Sequence, residues 1–118
     1  MTSNEIKNIR KLSEQADAFF TQECFVDAID LYNKAWDLIP EPKEEYEITE
    51  LIASNLGEAL FELDDFEEAR FYFERAYATH DGWKNPFVLL MLGRCWLELG
   101  NIIVFITYVH FVTSVLIV

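Results

Sequence analysis

From Ile6 to Phe20 the apolar residues Ile6, Ile9, Leu12, Ala16, Phe19 and Phe20 return at every third or fourth position, with polar and charged side chains between them. This spacing lays the apolar groups along one stripe and predicts an amphipathic helix. A second stripe runs through Phe25, Ala28, Ile29, Tyr32, Ala35, Trp36 and Ile39 and stops at Pro40-Glu41-Pro42, where two prolines remove backbone donors. A third helix is predicted to begin between Pro42 and Glu44, since proline suits a first turn and Glu44, Glu45 and Glu47 favour the positive end of the dipole; it runs to about Leu63. Asp64-Asp65 makes the next turn. Phe66, Ala69, Phe73, Ala76 and Tyr77 form a fourth stripe, which ends before His80-Asp81-Gly82. Pro86 opens a fifth helix through Leu99, and Gly100-Asn101 is its stop. No stretch before Ile102 alternates in the manner of a strand, so the expected class is all-α.

The stripes repeat. Ala16 pairs with Gly57, Phe19 with Leu60, Ala28 with Ala69, Tyr32 with Phe73 and Ala35 with Ala76 at a constant offset of 41 residues, and Leu89, Leu92, Gly93 and Trp96 follow the second unit at an offset of 36. A fixed period of this size marks helical hairpins that bury their apolar faces on one another. The small residues Ala16, Gly57 and Gly93 on the first helix of each hairpin, and Ala28 and Ala69 on the second, permit a close crossing. Phe19, Leu60, Trp96, Tyr32 and Phe73 are then expected to fill the neighbouring holes as core.

These positions resemble the tetratricopeptide repeat, a helical hairpin of about 34 residues with a large residue, Leu-Gly and an aromatic in its first helix and Ala, an aromatic, Ala and Pro in its second. The unit 9–42 carries Leu12, Ala16, Phe19, Ala28, Tyr32, Ala35 and Pro40 at that spacing. The unit 50–83 carries Leu56-Gly57, Leu60, Ala69, Phe73 and Ala76, and the partial unit 86–101 carries Leu89, Leu92-Gly93, Trp96 and Leu99-Gly100-Asn101. The resemblance implies stacked antiparallel hairpins, an α-solenoid, over 1–101. Seven extra residues, Lys43 to Thr49, are expected to lengthen the third helix by about two turns.

After Asn101 the pattern stops. The segment 102–118 reads IIVFITYVHFVTSVLIV, holds no Asp, Glu, Lys or Arg, and places Phe105, Val109 and Val112 where the family has Ala, an aromatic and Ala. Three readings of this tail stand side by side: a membrane anchor, an irregular cap on the last hairpin, and an end foreign to the repeat. Its length as a helix, roughly 25 Å, falls a little short of a bilayer core of about 30 Å.

Charge narrows the partners. Twenty-one acidic residues against nine basic give a net charge of −12, all of it before Ile102. Such a surface repels phosphate backbones, which argues against nucleic acid. The polar start MTSNEIKNIRKLSEQ does not read as a secretory signal and points to a cytoplasmic protein. Cys24 and Cys95 have no paired spacing and read as reduced, half-buried helix residues. His80 and His110 have no ligand partners nearby in sequence, no calcium or phosphate loop is spelled, and the paired carboxylates fall at helix starts. No cofactor, metal or enzymatic activity is expected.

The family's first helices line a concave groove, and the resemblance places Arg10, Ser13, Asp17, Phe20 and Thr21 there from the first unit. The second contributes Leu51, Ser54, Asn55, Glu58, Phe61 and Glu62, and the third Phe87, Leu90, Arg94, Leu97 and Glu98. Phe20, Phe61 and Leu97 would be apolar anchors, and Asp17, Glu58, Glu62 and Glu98 make the groove negative. The expected function is a protein-interaction module for a peptide or partner helix with apolar and basic side chains. Family members that hold acidic chaperone tails use a clamp of Lys, Arg and Asn; here Asp17 replaces an Asn, only Asn55 and Arg94 are suggestive, and no such binding is expected. The alternatives are a membrane adaptor anchored by 102–118 and a regulatory subunit of an enzyme. An open last unit also suggests a homodimer.

Overall fold

The computed structural model describes residues 1–117, all helix and turn. Six helices follow one another: α1 Ser3–Thr21, α2 Phe25–Asp37, α3 Glu47–Glu62, α4 Phe66–Tyr77, α5 Pro86–Glu98 and α6 Ile102–Ile117. They pair as α1 with α2, α3 with α4 and α5 with α6, and the pairs stack through α2 on α3 and α4 on α5. The helical-hairpin solenoid expected from the repeat is therefore present.

Side-chain size at the crossings explains the pairing. Ala16 and Ala28 are fully buried in the first hairpin. In the second, a Cβ placed on Gly57 would lie 2.7 Å from the buried Phe73 ring, so only glycine lets that ring lie against α3. In the third, a Cβ on Gly93 would meet the Tyr108 Cβ at 3.0 Å. Ile9, Ile39, Ile52, Leu56, Leu89 and Leu92 fill the remaining interior.

The hairpin turns repeat down to their hydrogen bonds. Glu23, Asp64 and Gly100 each take a positive φ, 60°, 61° and 88°. The next amide in each turn reaches back five residues: Cys24 N–H donates to Phe19 O at 2.9 Å, Asp65 to Leu60 O at 3.0 Å and Asn101 to Trp96 O at 2.8 Å. Asp65 then accepts from the Glu68 amide at 3.4 Å and Asn101 from the Val104 amide at 3.2 Å, capping α4 and α6.

Two expectations change here. The extra residues Lys43–Thr49 do not simply extend α3. Lys43–Glu45 forms a 3-10 turn after a cis Glu41–Pro42 bond, and α3 starts at Glu47. The cause is Lys43, whose buried ammonium turns back on the end of α2, donating to Trp36 O at 2.9 Å and to Ile39 O and lying 5.1 Å from the centre of the Trp36 ring. Arg75 of α4 bonds Glu44 and sits over the other side of this cluster, so the inserted turn ties the first hairpin to the second.

The second change concerns the tail. Residues 102–117 form a regular helix antiparallel to α5, so a third hairpin takes the place of the half unit read from sequence; Val118 lies outside the described residues. Phe105 stands where the earlier units have Ala28 and Ala69, and its bulk alters the fit. Tyr108 lies against Gly93, while Val109, in the register of the buried Tyr32 and Phe73, stays 37% exposed. Among the described residues no helix is long and apolar enough to cross a membrane.

Gly57→Ala tests the crossing. An alanine gains about 1 kcal/mol of helix propensity but must displace a packed Phe73, an overpacking cost of about 1–3 kcal/mol. Urea denaturation should therefore show no stabilisation, and a net loss of about 1 kcal/mol. A clear gain in stability would mean that the crossing is not tightly packed at this contact.

Candidate functional site

The first helices of the three hairpins, α1, α3 and α5, share one side of the molecule. A recess of about 410 Å³ opens there between them, lined by Arg10 of α1, by Leu51, Ser54 and Asn55 of α3 and by Phe87 of α5. Glu47, Ile48, Glu50 and Asn85 complete the lining; sequence register did not select them because three of them lie in the inserted segment or the first turn of α3 and the fourth caps α5. Asn85 donates to Glu50 at 2.7 Å across this recess, linking the second unit to the third.

A second recess, of about 350 Å³, lies where α1 ends, lined by Phe20, Thr21, Glu23 and Phe25 on one side and by Glu58 and Glu62 of α3 on the other. The Phe20 and Phe25 rings meet edge to face at 5.2 Å. Asp17 lies close enough to Glu58 to be felt electrostatically and accepts a hydrogen bond from the Tyr32 hydroxyl, whose pKa rises through burial and this anionic partner. Burial, then the neighbouring Glu62 and Asp17 charges, push the Glu58 carboxyl above its ordinary pKa. Among the described residues none of these three carboxylates forms an ion pair with Lys, Arg or His.

Other residues chosen from sequence sit differently. Ser13 is buried and accepts a long hydrogen bond from Asn55 at 3.4 Å. Phe61 is 9% exposed, packs edge to face on Phe66 at 4.9 Å, and carries the Arg94 guanidinium 4.6 Å from its ring centre. It supports the groove floor from within. Arg94 is spent on that contact, worth about 0.5–1 kcal/mol at an exposed site. Leu90, Leu97 and Glu98 are exposed on α5 and line neither recess. Depth of this kind depends on the neighbouring helix and carries no sequence signal.

The cysteines separate rather than share an environment. Cys24 is exposed at the start of α2, and Cys95 is wholly buried in α5, where desolvation pushes its thiol up to about 12. The half-buried reading of both is replaced by one open and one closed thiol. His80 is exposed in the turn after α4 and His110 is exposed on α6. Among the described residues no three His, Cys, Asp or Glu side chains gather in a metal-binding cluster.

The family model for the tetratricopeptide repeat matches residues 9–81. No curated protein matches the chain. A solved structure, the first TPR of Spaghetti (RPAP3) bound to the HSP90 peptide SRMEEVD, is similar in fold at 20% identity and a TM-score of 0.79, covering 92% of this chain and 79% of that one.

Alkylation checks the cysteine assignment. At neutral pH iodoacetamide should modify Cys24 in the folded chain and reach Cys95 only after denaturation, since the thiolate is the reacting species. Equal labelling of both under native conditions would contradict the packing around α5.

Proposed function

The chain belongs to the tetratricopeptide repeat family, and from that premise we propose that it is a non-enzymatic interaction module whose concave side receives a peptide with apolar and basic side chains. The observation that carries this reading is the pair of recesses along α1 and α3, where Phe20, Phe25, Leu51 and Phe87 offer apolar surface beside carboxylates that lack cationic partners. A lysine or arginine of the ligand between Asp17, Glu58 and Glu62 would offset the burial, and relieve the repulsion from Glu62 and Asp17, that together raise the Glu58 pKa.

The RPAP3 domain is a useful contrast. Its ligand, SRMEEVD, has three acidic residues and one basic. In the present groove Asp17 takes the place of a needed asparagine, Arg94 is engaged on Phe61, and Glu47, Glu50, Glu58 and Glu62 add negative charge. Like-charge juxtaposition opposes an acidic tail and favours a basic one. We infer a cytoplasmic setting for such a module from the strongly acidic surface of its repeat region.

Calorimetric titration against an extended peptide of alternating leucine and arginine tests the reading, with SRMEEVD as the comparison. The basic peptide should bind, lose affinity as salt is raised, and bind about tenfold more weakly to Glu58→Gln, a change of about 1.4 kcal/mol. The same variant should not lose thermal stability, because it removes a carboxylate repelled by Glu62 and Asp17. A basic ligand favours the ionised Glu58, whose pKa is raised in the free protein, so affinity should increase as pH rises from mildly acidic to neutral. Micromolar, salt-sensitive binding of SRMEEVD, or a basic peptide indifferent to Glu58→Gln, would overturn the proposal.

A further inference from the structure

Among the described helices α6 alone carries no Asp, Glu, Lys or Arg, its one titratable side chain being the exposed His110, and the whole net charge of −12 resides before it. One face packs on α5, but on the other Ile103 is 75% exposed and Ile102 and Ile106 are each 58% exposed, with Val109 and Phe111 beside them. The Thr and Ser hydroxyls of this helix are closed on its own backbone. Thr107 donates to Ile103 O at 2.9 Å, Thr113 to Val109 O at 2.9 Å and Ser114 to His110 O at 3.1 Å. Removing water from such a face strands few polar groups, so desolvation costs little and the apolar area is gained almost whole.

We propose that the outer face of α6 is the contact between two copies of this chain, α6 against α6 about a two-fold axis. Charge selects this occupant. A charged peptide finds no Asp, Glu, Lys or Arg on α6 to pair with. A helix lying in the headgroup layer needs a basic polar face, which α6 lacks. A second copy offers the same uncharged stripe, and an isologous contact joins the two surfaces that are free of like charge.

Area agrees. The open apolar side chains of α6 amount to a patch on the order of 500 Å², near the upper end of what monomers expose. Two such patches face to face bury about 1,000 Å², and with the flanking Tyr77 edge they come close to the roughly 1,200 Å² at which specific interfaces begin. Among the described residues none of α6 lines either groove recess, so association and peptide binding are separable.

Sedimentation equilibrium of the full chain tests the contact. The native protein should approach twice its 13.8 kDa mass as concentration rises, and Ile103→Glu/Ile106→Glu should remain at 13.8 kDa with a melting temperature close to the native one, since both side chains face solvent in the single copy. A positional readout complements it. In a Cys24→Ser background, Ile106→Cys should form an interchain disulfide under copper-phenanthroline oxidation many times faster than Val26→Cys, an equally open position on α2. A native chain that stays monomeric overturns the proposal, as does a double variant that still dimerises or cross-linking that is equal at the two positions. Flotation of a monomeric native chain with phosphatidylcholine vesicles, lost in the double variant, overturns it in favour of a lipid surface.

Discussion

Three close helix crossings, each made possible by a residue no larger than alanine, set the spacing on which the whole stack depends. Alanine-sized contacts at Ala16 and Ala28 bring α1 to α2; Gly57 admits the edge of Phe73; Gly93 admits Tyr108. Dispersion and burial then act over the full length of each pair, because neighbouring Ile, Leu and aromatic side chains meet across a short gap. A larger residue at any of these points would separate the helices and open voids on both sides. The recesses of the concave side owe their shape to the same spacing, since their walls come from helices of successive hairpins.

Much of this is legible from the sequence because a period of three and four encodes which side of a helix is buried. The constant offset between Ala28 and Ala69, or Tyr32 and Phe73, encodes that the burial repeats. The start of α3 was not legible in the same way. Proline and three glutamates satisfy every local rule for a helix start near Pro42, yet the buried Lys43 ammonium, held by the last carbonyls of α2 and by Trp36, imposes a turn instead. That interaction spans separate elements, and local propensity yields to it. In α6 the difficulty is of another kind: where every residue is apolar there is no stripe to read, and only Gly100-Asn101 spelled the left-handed turn that the earlier hairpins make at Glu23 and Asp64.

The groove shows the same division. Of the residues that register assigned to a single groove, Arg10, Leu51, Ser54, Asn55 and Phe87 line one recess and Phe20, Thr21, Glu58 and Glu62 another. It could not show that Arg94 would cover Phe61, or that Ser13 would be buried, because depth is decided by the next helix over. The outcome is a surface with two distinct characters. The concave side is acidic with apolar patches, and the outer face of α6 is uncharged, so each suits a different kind of neighbour.

The central claim, that the inner side built by α1, α3 and α5 is where a ligand sits, is tested most directly by mapping backbone amide shifts while a leucine-arginine peptide is added to labelled protein. The account predicts saturable changes concentrated at Asp17, Phe20, Leu51, Asn55, Glu58 and Phe87, with α2 and α4 quiet. Changes confined to α2, α4 or the outer face of α6, with the inner side unmoved, would contradict it.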